Sequence, residues 1–90
     1  MKALDTVWRF SLGAGLTRVT MPADAMPLFV GWQRESPQLW ALVSPDAPMV
    51  QRAFYLAGTG TAVPEPILRH VGSMIAGDGF HVFHVFEVAP

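Results

Sequence analysis

The three histidines of this sequence are its main candidates for metal ligands. His81 and His84 form an H-x-x-H pair, which on a helix would lie on one face and could share a metal ion. The segment 80–88 is aromatic and β-branched, which favours a strand, and side chains on a strand alternate between faces. The two histidines then point apart, and His70 meets His81 only in a register that the sequence does not fix. We therefore predict that His84 is a core histidine bonded to backbone, and that the protein has neither a metal site nor a cofactor.

The segment Gly58, Thr59, Gly60 invites comparison with the glycine loops that bind phosphate. No Gly-Lys-Ser/Thr follows it, and prolines stand where the helix of such a loop should begin. The plainer interpretation is a turn that needs positive φ angles. The irregular stretch 58–66 is nonetheless longer than the roughly 2 to 5 residues of an ordinary hairpin loop. The stretch is therefore the best candidate for a mobile or binding loop, and we predict binding roles for these three residues.

The spacing of polar residues does not favour nucleophilic or acid–base catalysis. The sequence contains 0 cysteines, which excludes thiolate nucleophiles and Cys-based zinc sites. No serine stands in a G-x-S-x-G context, and the 7 carboxylates are scattered singly along the chain. We predict no catalytic residues and expect that the protein is not an enzyme.

Tryptophan and arginine dominate interface hot spots, and they are the remaining candidates for a site. With 3 tryptophans in so short a chain, we expect at least one at the surface. Trp32 stands beside a polar turn that contains Arg34, and Trp40 lies in an apolar segment. Arginines spaced along strands, Arg52 among them, can bind carboxylate or phosphate. We predict binding roles for these four residues; the alternatives are tryptophans that fill the core and arginines in cross-strand ion pairs.

The composition limits the classes of partner. A chain that is 51% apolar and 14% charged is not disordered, and a net charge of −1 gives no field that would attract nucleic acid or an anionic membrane. No apolar run approaches the roughly 18 to 20 residues of a membrane span, and the first residues lack the apolar stretch of a signal peptide. We expect one domain over residues 1–90 that is cytoplasmic and binds neither membrane nor nucleic acid.

Proline and glycine, 8 of each, divide the chain into apolar segments of strand length. The predicted strands cover 7–12, 16–21, 28–33, 38–43, 49–57, 67–75 and 80–88. The first two are expected to form one hairpin and the next two another, with 38–43 central because apolar residues occur on both of its faces. The last strand should be paired on both sides, since it lacks the residues that protect an edge. The sequence predicts an all-β domain, an antiparallel sandwich or partly open barrel of six to seven strands.

Five segments together carry a likeness to known proteins. They are 8–12, 21–25, 39–48, 58–60 and 79–87, of which 39–48 and 81–87 are the more specific. Over nearly its whole length the chain resembles a family of small uncharacterised proteins, a domain of unknown function, found in phages, prophages and bacteria. The resemblance implies a phage-associated accessory role and supplies no catalytic residues.

The leading hypothesis is therefore a small phage-type accessory protein that binds a host or phage protein in the bacterial host cytoplasm, for instance to inhibit a defence component. A small-ligand or nucleotide-binding protein that sequesters its ligand is one alternative, and a structural or assembly protein is another. A domain of this size buries only about 60 to 65% of its unfolded surface, which predicts an exposed apolar patch. We expect a homodimer to cover that patch, with Trp32 or Trp40 as its anchor.

Overall fold

A computed structural model describes residues 3–90 as seven β-strands without a helix. The strands are β1 (Thr6–Ser11), β2 (Gly15–Pro22), β3 (Met26–Gln33), β4 (Ser36–Val43), β5 (Met49–Gly58), β6 (Ile67–Ile75) and β7 (Val82–Val88). Each predicted segment is a strand, which confirms the all-β class. None of the described segments forms a helix with the length and apolar character needed to cross a bilayer.

The strands form two antiparallel sheets. The three-stranded sheet has the order β1-β4-β3, and the four-stranded sheet has the order β2-β5-β7-β6. Neither sheet closes on itself, so the predicted sandwich or partly open barrel is confirmed. As predicted, β4 is a central strand, and β7 is paired on both sides.

The predicted hairpin of β1 and β2 is wrong. β1 pairs with β4, while β2 pairs with β5 in the other sheet, and Gly15 (φ 70°) begins the second strand after the crossing. The physical reason is burial: Phe10 on β1 packs against the same core that contains Val19 and Met21 of β2. Each strand has one apolar face, and placing the two strands in opposite sheets lets these faces cover each other.

The predicted hairpin of β3 and β4 is confirmed, and β6 and β7 form another hairpin; the turns of both lie near one end of β3. β3 and β4 are joined through Arg34 (φ 50°) and Glu35 (φ 64°). β6 and β7 are joined by a turn in which the N–H of Gly79 donates to the carbonyl of Ala76 at 2.9 Å. Two successive non-glycine residues at positive φ are rare in such a tight turn, where glycine or asparagine is preferred.

The hydrophobic core lies between the sheets. Its buried members are Leu12, Val19, Met21, Ala25, Val30, Leu39, Ala41, Val43, Phe54, Leu56, Met74 and Val85. Phe54 and Leu39 are 1% and 0% exposed, so truncating either to alanine would leave a cavity in a packed interior.

The face of β7 that packs on the core is not the face that the sequence predicted. Val85 belongs to the core and Phe83 packs against it, while His84 is half-buried and bonds to side chains rather than to backbone. The prediction of His84 as a core histidine bonded to backbone is therefore wrong. The prediction placed the more apolar face of the strand in the core. It was wrong because Glu87 lies on the core face, where Arg52 neutralises its charge.

The two sheets meet along β3 and β6, which contact each other without pairing. Val30 of β3 packs on Gly72 of β6, where an added Cβ would lie only 2.8 Å from Val30 Cγ2. Both strands also carry register irregularities, between Pro27 and Phe29 in β3 and at two points in β6. We call this line of contact the β3/β6 seam.

Candidate binding site around Trp32

Trp32 lies near the end of β3 and is held between two elements of the other sheet. Its ring stacks on that of Phe83 in β7, with centroids 6.0 Å apart and planes 13° apart. Gly77, in the turn after β6, faces the edge of the indole, where an added Cβ would be 2.5 Å from Nε1. Only glycine lets the turn approach so closely, and the indole is fixed in place while remaining half-buried.

A cavity of about 560 Å³ opens beside Trp32 at this end of the sandwich. Its lining consists of Trp32, Glu35, Ala76, Gly77, Asp78, His81 and Phe83. Two carboxylates thus stand with three aromatic rings around one opening. Glu35 reaches the cavity from the turn between β3 and β4, and Asp78 reaches it from the turn between β6 and β7.

Asp78 is the most firmly held group of this cavity. Its Oδ1 accepts the backbone N–H of Phe80 at 2.8 Å, and its Oδ2 lies 2.7 Å from Nδ1 of His81. The N–H of Phe80, followed by the His81 ring, lowers the pKa of Asp78 below its ordinary value. The carboxylate therefore remains ionised and presents a negative charge at the cavity.

A second cavity, of about 460 Å³, follows the β3/β6 seam on the other side of Trp32. It is lined by Phe29, Val30, Gly31, Trp32, Ser73, Met74, Ile75 and Val82. Phe29, Ile75 and Val82 are 62%, 61% and 40% exposed, respectively. This groove is mainly apolar, whereas the cavity beside Glu35 and Asp78 carries charge.

The structure brings some of the predicted site residues together at this end. Arg34 follows Trp32 in the turn after β3 and is exposed. Gly58 ends β5 beside Phe83, with an added Cβ 3.7 Å from that ring. Thr59 and Gly60 (φ 90°) form the turn that follows, closed by the N–H of Thr61 donating to the carbonyl of residue 58 at 3.0 Å.

Trp40 lies elsewhere, on the outer face of the three-stranded sheet. It is half-buried in β4, with Arg9 and Phe29 as its cross-strand neighbours. The rings of Phe29 and Trp40 are 5.6 Å apart. Val7 and Met26, on the flanking strands, are 55% and 43% exposed. Trp40 thus belongs to a second apolar surface that meets the groove only at Phe29.

Arg52 lies at the opposite end of the core from Trp32. Its Nε and Nη2 donate to the two oxygens of Glu87 at 2.7 and 2.8 Å, and Nη1 donates to the carbonyl of Ala25 at 2.6 Å. Arg69 adds a contact of 3.2 Å from its Nε to Glu87. The Glu87 carboxylate raises the pKa of Arg52. Every nitrogen of the Arg52 guanidinium already has a partner, so the structure does not group Arg52 with the residues at Trp32.

A polar network occupies the outer face of the four-stranded sheet. Ser73 Oγ lies 2.8 Å from Nδ1 of His84 and 3.2 Å from Nε2 of His70. The other nitrogen of His84 faces the hydroxyl of Thr59 at 3.4 Å rather than a carboxylate. No acid therefore orients the imidazole nearest this serine. Among residues 3–90, no three His, Cys, Asp or Glu residues are grouped so as to hold a metal ion.

Several lining residues were not predicted to bind a partner, among them Phe29, Glu35, Ile75, Asp78, His81, Val82 and Phe83. They lie in two hairpins from different sheets, and their proximity depends on the β3/β6 seam, which leaves no local pattern. Asp78 gave a partial signal, because an aspartate between glycines before an aromatic residue favours a side-chain-capped turn.

Comparisons with known proteins support the resemblance to an uncharacterised family. A family model described as a domain of unknown function (DUF7352) matches residues 4–90. No curated protein and no solved structure matches the chain. The match covers all seven strands and both cavities beside Trp32. The chain therefore belongs to the DUF7352 family.

Proposed function

We propose that this protein is a binding domain that docks a protein partner on the groove along the β3/β6 seam. The groove and the adjoining charged cavity, called here the Trp32 surface, consist of the residues that line the two cavities. The observation that carries the proposal is the exposure of Phe29, Ile75 and Val82 at 62%, 61% and 40%, side by side around a fixed tryptophan. Exposed apolar patches of this kind mark interaction sites, and a tryptophan at the centre is a typical anchor.

Binding is favoured over catalysis because the polar groups near the Trp32 surface do not converge on a reacting atom. Ser73 and His84 make the nearest approach to a nucleophile and a base, and the imidazole is backed by a hydroxyl instead of a carboxylate. Storage of a small anionic ligand is less well supported, because Arg52 is already engaged by Glu87. An assembly role through sheet edges is less well supported too, since two of the four edge strands, β3 and β6, are irregular and contact each other along the seam.

The biological setting is part of the same proposal. The likeness of the sequence to small phage and prophage proteins supports an accessory protein whose partner is a host or phage protein in the bacterial cytoplasm. Occlusion of that partner, for example a component of bacterial defence, would require only a stable interface and no chemistry. A small domain with an exposed apolar groove beside a fixed tryptophan suits this role.

Site-specific photo-crosslinking tests the proposal. A photoreactive phenylalanine analogue is placed at Ile75 in the groove or at Leu16, an equally apolar position of β2 that is 43% exposed and outside both cavities. In lysate of the source bacterium, we expect a discrete cross-linked protein from position 75 and none from position 16. A Phe29→Ser/Val82→Ser variant should abolish that product. Equal products from both positions, or a product that survives the double substitution, would contradict the proposal.

A further inference from the structure

The cavity beside Trp32 has the composition of a site for an organic cation. The rings of Trp32 and Phe83 stack on each other, 6.0 Å apart, and form one aromatic wall, and the ring of His81 lies 6.5 Å from that of Phe83. Aromatic faces attract cations through their quadrupole, and tryptophan does so most strongly. Glu35 and Asp78 place two carboxylates at the same opening. The aromatic rings and the carboxylates therefore both favour a cationic ligand.

The charge of the cavity is not fully neutralised within the part of the chain that the structure describes. Asp78 is paired with His81 at 2.7 Å. Glu35 forms neither an ion pair nor a hydrogen bond with any of residues 3–90. Arg34 is its neighbour in the turn but does not line the cavity. A cation that enters the cavity would thus meet an unpaired carboxylate beside an aromatic wall.

We propose that this cavity receives an arginine side chain of the protein partner, an inference that rests on the function proposed above. The planar guanidinium stacks on the aromatic wall while its edge donates to Glu35. Arginine is favoured over lysine because its guanidinium is weakly hydrated and carries five donors in one plane. The apolar groove along the seam then holds the residues of the partner that flank this arginine.

The turn that carries Glu35 is consistent with such a role. Both Arg34 and Glu35 adopt positive φ, at 50° and 64°, where asparagine and glycine would be more stable. Replacing the pair by Asn-Gly should raise the melting temperature. The same variant should bind arginine about threefold more weakly, because the Glu35 carboxylate is gone. A variant that is more stable yet binds less well separates the site from the fold.

The test uses Nα-acetyl-arginine amide as the probe and Nα-acetyl-citrulline amide, its neutral isostere, as the control. Binding to the isotope-labelled full chain is followed by the indole N–H signals, which Trp8→Phe and Trp40→Phe variants assign. We expect the arginine probe to shift the Trp32 signal with a dissociation constant in the millimolar range, and the citrulline probe to bind at least tenfold more weakly. Equal shifts with both probes, or no shift at Trp32, would overturn the inference.

Matched substitutions decide whether Glu35 contributes. Glu35→Gln should weaken binding of the arginine probe about threefold, as expected for an exposed ion pair, whereas Glu65→Gln in the 58–66 loop should leave it unchanged. Equal effects of the two substitutions would overturn the assignment of Glu35. If the partner is cross-linked from position 75 while the cavity does not distinguish arginine from citrulline, the proposed function stands and this inference fails.

Discussion

The two ends of the core both border a cavity with charged groups, and they differ in whether those charges already have partners. At the end near Ala25, a cavity of about 470 Å³ has four charged residues in its lining: Arg52, Arg69, Glu87 and Asp24, whose Oδ1 accepts the N–H of Ser44 at 3.4 Å. Arg52 and Glu87 have side chains only 12% and 5% exposed and are bound to each other twice. At the Trp32 end, the cavity is similar in volume, but one of its two carboxylates has no partner among the described residues.

The comparison shows that volume alone does not identify a binding site. A buried ion pair whose hydrogen bonds are satisfied holds elements together: Arg52 joins β5, β7 and the segment before β3 through Glu87 and Ala25. Breaking such a pair is costly because one charge stays buried. An exposed carboxylate beside a half-buried tryptophan has no such structural role. We therefore assign binding to the Trp32 end, where Glu35 has no partner among the described residues.

The largest effect should follow from breaking the ion pair between Arg52 and Glu87 at the end near Ala25. Glu87→Gln leaves Arg52 without its counter-charge and should lower the free energy of unfolding by about 3 to 5 kcal/mol, measured by urea denaturation. The paired substitution Arg52→Met/Glu87→Leu removes both charges and should recover most of this loss. Arg69→Gln, at a side chain that is 54% exposed, should cost less than about 1 kcal/mol. If Glu87→Gln behaves like Arg69→Gln, the buried pair has no structural role.

A second prediction concerns the outer face around Trp40. This face and the Trp32 surface are the two apolar surfaces through which the free protein could form a homodimer. We expect a homodimer centred on Trp40 and its exposed neighbours Val7 and Met26. Trp40→Ala should weaken association by about 2 kcal/mol in sedimentation equilibrium, as expected for an aromatic anchor. A protein that stays monomeric at high micromolar concentration would exclude the dimer. Weakening by Trp32→Ala instead would show that a second copy covers the Trp32 surface.

The contact between Gly77 and Trp32 gives a smaller but more local test. Gly77→Ala places a methyl group 2.5 Å from the indole, so the ring must move, and the loss of stability should be at least about 1 kcal/mol. Trp32 fluorescence should change as well. Gly13→Ala is the matched control, because its Cβ would lie 3.5 Å from Thr17 Oγ1, an ordinary contact. If both variants behave alike, the turn does not fix the indole.

The smallest effect is expected from the charge of Asp78. Its pKa is lower in the folded than in the unfolded chain, so its ionised form stabilises the fold above the ordinary carboxyl pKa. This contribution disappears as the pH falls through the lowered folded value. His81 and Glu35 are the other titratable groups of the cavity. The melting temperatures of the protein and its Asp78→Asn variant should therefore converge on acidification; a constant difference between pH 7 and pH 2 would contradict this.

The strands could be predicted from the sequence because alternation and turn residues are local. Pairing depends on distant contacts, which is why the alternating segment of β1 suggested a hairpin with β2 although it pairs with β4. The face of β7 was misassigned because Glu87 is inward, and its counter-charge is 35 residues away in sequence. Trp32 was predicted as a site residue from its type and its neighbouring turn. Glu35 and Asp78 were missed because only the seam between the sheets brings them to one cavity.

Hydrogen exchange in the captured complex tests the central claim most directly. The protein with and without its cross-linked partner is compared for amide protection in 29–35, 73–83 and the segment around Arg52. Binding at the Trp32 surface predicts added protection in the first two segments and none near Arg52. Protection concentrated near Arg52, or spread evenly over both ends, would contradict the assignment of binding to the Trp32 surface.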